Sequence, residues 1–298
     1  MLYRLLICFV VLLASVLPAA QASTAFWCAE RFLDPAAKPF DAQHLKVAQR
    51  GYLYAMAAAL ALQKNNAEGR AYHFATPARL REVDRPRRDR SGFEVSSFEL
   101  LDAPGGQVKE LVIAFSGSND DADWDTTNFG DDTRQYTLAR RYLQKMAARP
   151  EYRTVRLVVT GFSLGGALAV HVTKHAETRR LVAETWAFNP SPKTWVGNQT
   201  DRRIWLAATA SDGLAPLRQL GASLLPGVGL IGAPANQRAE NFYLLEANPV
   251  ISHYRWVLTR NLLHVADLAQ RIEQSSDAPT EAFDILQASS FRSCQKPG

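Results

Sequence analysis

The chain has 298 residues, of which 47% are hydrophobic and 21% are charged. This is the composition of an ordinary globular protein, which excludes the disordered and fibrous classes. The formal net charge of +5 is modest and the basic residues are spread along the chain, so no nucleic-acid partner is expected. The densest basic cluster, residues 85–90, is interrupted by Pro86 and Asp89. It is interpreted as a solvated loop, with nucleic-acid or lipid-headgroup binding as the lesser alternative.

The N-terminus has the pattern of a secretory signal peptide. A short positive start, residues 1–4, precedes an apolar run over residues 5–17 and an A-x-A cleavage signal over residues 20–22. The apolar run is shorter than the ~20 residues that a membrane-spanning helix needs. We expect residues 1–22 to be removed as a signal peptide, which would make the mature protein periplasmic or secreted; an uncleaved N-terminal anchor is the alternative. Residues 23–298 contain no repeat or long linker and are expected to form a single domain.

Two cysteines would remain after cleavage, Cys28 and Cys294, near the two ends of the mature chain. Export would place them in an oxidising compartment, where disulfides persist. We therefore predict a disulfide between them, with two free thiols as the alternative. Closing so long a loop corresponds to a stabilisation of about 5 kcal/mol on the chain-entropy estimate.

Hydrophobic periodicity predicts strands that alternate with helices. A helix is predicted over residues 41–63, with Asp41 as its N-cap, and a hairpin over residues 93–101 and 108–115. The later predicted elements are helix 133–148, strand 155–160, a helix from just past Ser163 to about residue 178, strands 181–188, 203–210 and 241–247, and helix 254–272. This alternation favours an α/β fold with a mainly parallel central sheet and helices on both faces. In such sheets the chemistry gathers at the carboxyl ends of the strands.

The segment Gly161-Phe162-Ser163-Leu164-Gly165 lies between predicted strand 155–160 and a predicted helix. A G-x-S-x-G segment in this context is typical of a nucleophile elbow, in which a sharp turn exposes the serine hydroxyl. Glycines are needed on both flanks because side chains there would collide. Ser163 is therefore the predicted nucleophile, and the backbone N–H of Leu164 is a predicted oxyanion donor.

A serine nucleophile needs a base, and the base needs an orienting acid. This architecture places them in the chain order serine, acid, histidine. Asp212 directly follows predicted strand 203–210 and is the predicted acid. Only His253 and His264 follow that acid. His253 lies shortly after predicted strand 241–247 and is the favoured base, whereas His264 lies inside a predicted helix and is the alternative.

A second oxyanion donor is expected from the loop after an earlier strand. Predicted strand 108–115 is followed by Ser116-Gly117-Ser118. Gly117 would let the backbone approach the substrate, and Ser118 offers both an N–H and a hydroxyl; an ordinary turn is the alternative.

The acidic stretch over residues 120–125 invites comparison with a calcium-binding loop. The position that should hold glycine is Thr126, and the position that should hold glutamate is Asp132. A solvated loop or a helix start is therefore the favoured interpretation, and neither a metal nor a cofactor is expected.

These segments resemble the class 3, or fungal-type, lipase family of α/β-hydrolases. Residues 160–169 look like that family's elbow, with Phe162 where histidine is usual. Residues 114–118 look like its oxyanion strand, with Ser116 in place of an arginine, and residues 212–217 are similar to its acid segment. The resemblance covers roughly residues 95–265.

The resemblance implies an α/β-hydrolase fold with Ser163, Asp212 and His253 as the catalytic triad. It also implies Ser118 and Leu164 as oxyanion donors. Lipases of this kind often carry an apolar lid helix after the oxyanion loop, but the corresponding residues here, 119–132, are acidic. An apolar surface would come instead from residues 214–235, unless these form a partly buried connection.

Together these features predict an exported serine hydrolase that cleaves carboxylic esters of lipids, or small esters, through an acyl-enzyme on Ser163. Its partners would be the ester substrate and, transiently, a membrane surface. A catalytically silent protein of the same fold, acting through interactions, is one alternative. An acyltransferase that uses the same nucleophile is another.

Overall fold

The computed structural model describes residues 27–28, 40–63, 72–117, 133–219, 227–246, 249–276 and 278–289. The predicted signal peptide, Ser118, the acidic stretch and Cys294 lie outside these residues, and only the backbone of Cys28 is described. The signal peptide, the disulfide and the role of Ser118 therefore stay predictions.

Strands and helices alternate along most of the described chain. The strands are β1 (Trp27–Cys28), β2 (Leu80–Asp84), β3 (Val95–Leu101), β4 (Val108–Phe115), β5 (Arg156–Phe162), β6 (Glu184–Phe188), β7 (Ile204–Thr209), β8 (Arg238–Phe242) and β9 (Leu245–Glu246). The α-helices are α1 (Ala42–Leu62), α2 (Arg134–Ala147), α3 (Leu164–Lys174), α4 (Ala215–Gln219), α5 (Pro249–Ser252), α6 (Arg255–Gln274) and α7 (Glu281–Ala288). Within these described ranges, no helix is both long and apolar enough to cross a bilayer.

Seven of these strands form one sheet in the order β2-β3-β4-β5-β6-β7-β8. Strands β4 to β8 are parallel to one another, whereas β2 and β3 pair antiparallel at one edge. Strands β1 and β9 form a separate antiparallel pair, with Cys28 opposite Leu245. The predicted mainly parallel sheet is confirmed, and with helices on both faces it has the α/β-hydrolase architecture.

Successive residues of the central strands face opposite helical layers, as the two-residue period of a strand requires. In β4, Val112 and Ala114 pack in the core formed with α1 and α6. Leu111, Ile113 and Phe115 pack in the core formed with α2 and α3. Burying each such aliphatic or aromatic side chain contributes roughly 1.5–3 kcal/mol, so the sheet that carries the candidate site is held from both sides.

Helix α1 begins as predicted. The Asp41 carboxylate accepts hydrogen bonds from the backbone N–H groups of Gln43 and His44, both at 2.9 Å. These are two of the N–H groups that have no carbonyl partner in the first turn of a helix. The N-cap predicted at Asp41 is therefore confirmed.

Predicted strand 241–247 is wrong in its extent. Strand β8 begins at Arg238 and ends at Phe242, and the chain then bends at Leu244. Residues Leu245–Glu246 leave the main sheet and pair with β1. The first part of the apolar run therefore belongs to the main sheet and the last part to the β1–β9 pair. Hydrophobicity alone does not show where the run divides.

Two further differences concern an edge strand and a helix end. Strand β2 was not predicted, because its sequence is mostly charged and only Leu80 is buried. Helix α3 ends at Lys174 instead of about residue 178, because His175 has an extended backbone. The Thr178 hydroxyl donates to the Val172 carbonyl at 2.6 Å, which satisfies one of the carbonyl groups left unpaired at the helix end.

Buried charges tie the amino ends of the parallel strands together. Glu110 of β4 and Glu184 of β6 are 2% and 4% exposed, and Arg156 of β5 donates to both carboxylates. Arg50 of α1 donates to Glu184 at 2.6 Å, and the Tyr54 hydroxyl donates to Glu110 at 2.6 Å. Burial raises the pKa of Glu184, but the hydrogen bonds from Arg50 and Arg156 outweigh it and hold that pKa below its ordinary value.

Replacing Glu184 by glutamine should destabilise the fold by about 2 kcal/mol at neutral pH, because two arginines lose their buried partner. The folded pKa of Glu184 is lowered, so its contribution is full above the unfolded pKa and is lost as pH falls through the folded value. The deficit of Glu184→Gln, measured by urea unfolding, should therefore shrink at acidic pH.

The matched control is Glu177→Gln, which removes a 56% exposed carboxylate paired with Arg140. It should cost less than about 1 kcal/mol. Equal losses in the two variants at neutral pH would contradict the account of the buried charges.

Candidate active site

The candidate site lies where three parallel strands end side by side. Ser163 follows β5, Asn189 follows β6, and Asp212 comes three residues after the end of β7. These strands are direct neighbours in the sheet, so their carboxyl ends deliver these residues to one edge.

Ser163 occupies a strained turn between β5 and α3. Its φ of 53° and ψ of −122° lie in a region that non-glycine residues rarely adopt. Its N–H donates to the Phe188 carbonyl at 3.0 Å, and its carbonyl accepts from Ser191 N at 3.0 Å. A Cβ on Gly165 would lie 2.1 Å from the Phe115 carbonyl oxygen. The turn is therefore sharp enough that the glycine two residues after Ser163 is required.

The structure brings Ser163, His253 and Asp212 together in one hydrogen-bonded chain. His253 Nε2 lies 2.9 Å from Ser163 Oγ, and His253 Nδ1 lies 2.6 Å from Asp212 Oδ1. All three side chains are largely buried, and that of Asp212 is wholly so. His253 is the first of the two residues between α5 and α6.

Asp212 is held in its ionised form by partners on both carboxylate oxygens. Burial acts to raise the pKa of Asp212, but the hydrogen bond and charge of His253 and the charge of Arg218 hold it below its ordinary value. Arg218 Nη1 lies 2.5 Å from Asp212 Oδ2 in an ion pair whose side chains are 2% and 0% exposed. The backbone N–H of Leu214 also donates to Oδ1, at 3.2 Å.

An ionised Asp212 settles the direction of the other hydrogen bonds. A carboxylate only accepts, so His253 Nδ1 must carry the proton that it donates to Oδ1. In the uncharged ring, the lone pair of Nε2 then faces the Ser163 hydroxyl. This is the tautomer in which the histidine can take a proton from the serine.

The backbone N–H of Leu164, the predicted oxyanion donor, lies at the start of α3. Leu164 is the first residue of α3, so its N–H has no carbonyl partner within the helix. The end of β4 lies against the same turn, because a Cβ on Gly117 would be 2.7 Å from the Phe162 carbonyl oxygen and 3.4 Å from Ser163 Cβ. The predicted partner donor, Ser118, is the next residue and lies outside the described residues.

The other histidines are placed differently. His264 lies on α6, where burial and the nearby Arg260 lower its pKa to about 4. His171 is buried on α3, where its Nδ1 donates to the Thr194 carbonyl at 2.9 Å and burial lowers its pKa to about 4. Of the two candidate bases, it is His253 whose ring nitrogen lies within hydrogen-bond distance of Ser163.

Two residues beside the triad were not predicted. Arg218 is the one charged residue in the apolar stretch over residues 214–235, and this is the signal in the sequence that could identify it. Asn189 gives no such signal, since an asparagine after a strand is ordinary turn chemistry. Part of that apolar stretch, residues 220–226, lies outside the described residues, and Leu230 beyond it is 41% exposed.

Among the residues that the model describes, no group of three or more His, Cys, Asp or Glu side chains is placed to hold a metal ion. The acidic stretch considered above as a calcium loop lies outside them.

Residues 53–189 match the family model of a Tle-like phospholipase domain. The matched segment runs from α1 to Asn189 and contains the elbow with Ser163. The match confirms the resemblance to lipase-like α/β-hydrolases over these residues. None of the curated proteins matches the chain.

Several solved lipases are similar to the chain at low identity. A triacylglycerol lipase from Penicillium expansum is 14% identical over 68% of this chain and 83% of its own, with a TM-score of 0.42. The Lip2 lipase from Yarrowia lipolytica is 13% identical over 72% and 91%, with a TM-score of 0.40. A mono- and diacylglycerol lipase from Aspergillus oryzae is 16% identical over 62% and 77%, with a TM-score of 0.40.

The ion pair on Asp212 predicts a pH effect. In Arg218→Met the cation is lost while most of the side-chain volume is kept, so the pKa of Asp212 should rise. Asp212 would then become protonated at a higher pH than in the wild type. The acidic limb of the rate of Ser163 modification by a fluorophosphonate should move to higher pH, with about a tenfold loss of rate below neutrality.

Arg81→Met is the matched control, because Arg81 is mostly exposed and pairs with Glu99 instead of Asp212. Its pH profile should match that of the wild type. A folded Arg218→Met protein with an unshifted acidic limb would show that Arg218 does not act on the acid.

Proposed function

We propose that the chain is a serine hydrolase that cleaves carboxylic esters of lipids through an acyl-enzyme on Ser163. The observation that carries the proposal is the unbroken chain of hydrogen bonds from Ser163 Oγ through His253 to Asp212, at 2.9 and 2.6 Å. A serine with a histidine base and an orienting acid is the arrangement that activates a hydroxyl for acyl transfer.

The reaction would proceed in two halves. Ser163 Oγ attacks the ester carbonyl carbon while its proton passes to His253 Nε2, and the oxyanion accepts a hydrogen bond from the Leu164 N–H. The C–O bond to the alcohol breaks as His253 returns the proton to the leaving oxygen, which leaves an acyl-enzyme. Water then attacks the acyl carbon while His253 takes its proton. The bond from the acyl carbon to Ser163 Oγ breaks, His253 returns the proton to Oγ, and the carboxylic acid leaves.

The lipid class of the substrate is supported by the match of residues 53–189 to a phospholipase-like domain. A catalytically silent interaction protein of the same fold should lack a member of the triad, and here all three side chains are present and in contact. Hydrolysis is therefore preferred. Transfer to an acceptor other than water uses the same acyl-enzyme and would appear as an acylated second product.

Ser163→Ala should abolish fluorophosphonate labelling and ester hydrolysis of the purified protein, since the nucleophile is removed. His253→Ala should lower the hydrolysis rate by at least about 10³-fold. The matched control is His264→Ala, a buried histidine outside the hydrogen-bonded chain, which should keep activity in the fraction that folds. Labelling that survives in Ser163→Ala would refute the nucleophile, and inactivity of folded His264→Ala with an active His253→Ala would reverse the choice of base.

The same proteins assayed against phospholipid vesicles, triacylglycerol emulsions and p-nitrophenyl esters of short and long chains address the substrate. Phospholipid or acylglycerol hydrolysis that disappears in Ser163→Ala is expected. Activity confined to short, soluble esters would contradict a lipid substrate and leave a small-ester hydrolase.

We also propose that the protein is exported and that Cys28 pairs with Cys294 once residues 1–22 are removed. The leader pattern and the position of the two cysteines support this proposal. Intact mass after expression with the native N-terminus should correspond to a chain that begins at Ser23 and is two hydrogens lighter than its reduced form. An unprocessed N-terminus would contradict export, and two free thiols in the processed protein would contradict the disulfide.

A further inference from the structure

Asn189 lies between the elements that carry the three triad residues. It follows β6 directly, is fully buried, and has a φ of 39°. A positive φ in a buried non-glycine residue persists only where the surroundings hold it. Its N–H donates to the Ala207 carbonyl of β7 at 3.0 Å, so the backbone continues the ladder between β6 and β7 beyond the end of β6.

The side-chain amide of Asn189 joins β7 to the segment that carries the base. Its Oδ1 accepts from the Thr209 N–H at 2.9 Å. Its Nδ2 faces the carbonyl oxygens of Ser252 and His253 at 3.3 and 3.4 Å. Because Oδ1 meets an N–H and Nδ2 meets carbonyls, the orientation of the amide is determined by its partners.

The backbone on either side of Asn189 reaches the nucleophile. The carbonyl of Phe188 accepts from Ser163 N at 3.0 Å, and Ser191 N donates to the Ser163 carbonyl at 3.0 Å. The segment 188–191 therefore holds Ser163 through its backbone and His253 through the Asn189 side chain. Asp212 lies three residues after Thr209, whose N–H donates to Asn189 Oδ1.

We propose that Asn189 is a positioning residue, whose amide holds the main chain of His253 against the end of β7 so that the imidazole reaches both Ser163 and Asp212. This inference rests on the proposed function. A shift of about 1 Å in a catalytic group is enough to lower a rate by up to about 100-fold.

Asn189→Gly is the direct test, since glycine tolerates the positive φ while the amide is removed. We expect kcat to fall by at least about tenfold with KM changed by less than about threefold, because substrate contacts are retained while the base is misplaced. Steady-state kinetics on a soluble ester give kcat and KM. The rate of fluorophosphonate labelling reports the reactivity of Ser163 separately.

Asn189→Asp supplies a rescue by a side chain of the same shape. In its protonated form the carboxyl can donate one hydrogen bond to a carbonyl, whereas the ionised form can only accept. Its kcat should therefore exceed that of Asn189→Gly at low pH. Relative to wild type, it should fall as pH rises from about 5 to about 9.

The matched control is Asn261→Asp. Asn261 is also fully buried and its Oδ1 accepts from the Leu245 N–H at 3.0 Å, but it lies on α6 away from the hydrogen bonds of the triad. It should lower thermal stability without changing kcat of the folded protein. A loss of kcat equal to that of Asn189→Asp would mean that any buried asparagine matters equally, and would overturn the proposal.

A folded Asn189→Gly protein with kcat within about twofold of wild type would overturn the proposal. If that variant does not fold, the pH course of Asn189→Asp decides, and a ratio to wild type that is constant with pH is the contrary result. The proposed function fails separately, because it requires labelling to disappear in Ser163→Ala whatever happens at Asn189.

Discussion

The candidate site depends on the strained backbone of Ser163. A residue with φ of 53° would relax to an ordinary conformation if its neighbours allowed it. Strands β4, β5 and β6 hold it in this conformation. A side chain at position 165 would collide with the Phe115 carbonyl oxygen, and the Phe188 carbonyl accepts a hydrogen bond from the Ser163 N–H. The parallel sheet and its two apolar layers thus provide the rigidity that keeps the hydroxyl aimed at His253.

The second constraint is the burial of Asp212. A carboxylate that is fully buried would take up a proton unless its charge were balanced. Arg218 balances the charge at one oxygen and His253 donates a hydrogen bond to the other, so the acid remains ionised and the tautomer of His253 is determined. Because Arg218 Nη1 also donates to the Pro190 carbonyl at 3.2 Å, the same guanidinium connects the acid to the segment that follows β6. Arg218 therefore balances the charge of the acid and also helps to hold the position of the segment after β6.

Much of the fold could be predicted from the sequence where one signal dominated. The strand before Ser163, the hairpin of β3 and β4 and the N-cap at Asp41 each follow from local periodicity or turn chemistry. Prediction failed where the outcome depends on distant partners. Strand β2 exists because its backbone pairs with β3 in spite of its charges, and residues 241–247 divide between two sheets because β1 pairs with β9.

The site shows the same division. The elbow is a local pattern, so Ser163 and Leu164 could be identified from five consecutive residues. Asp212 and His253 required the chain order of an α/β-hydrolase, and the hydrogen bonds from Asp212 to His253 and from His253 to Ser163 appear only in the folded chain. Asn189 contacts the main chain of His253, which is distant in the sequence. Arg218 pairs with Asp212 but belongs to no recognisable motif. Identifying them needs the geometry of the sheet edge.

The proposed function requires that Ser163 is acylated during turnover. The direct measurement is peptide mass spectrometry after rapid acid quenching of the protein with a long-chain p-nitrophenyl ester. We expect the acyl mass on the peptide that contains Ser163, and its accumulation should match the initial release of p-nitrophenol. Hydrolysis that proceeds with that peptide unmodified, and that continues in Ser163→Ala, would contradict the proposed function.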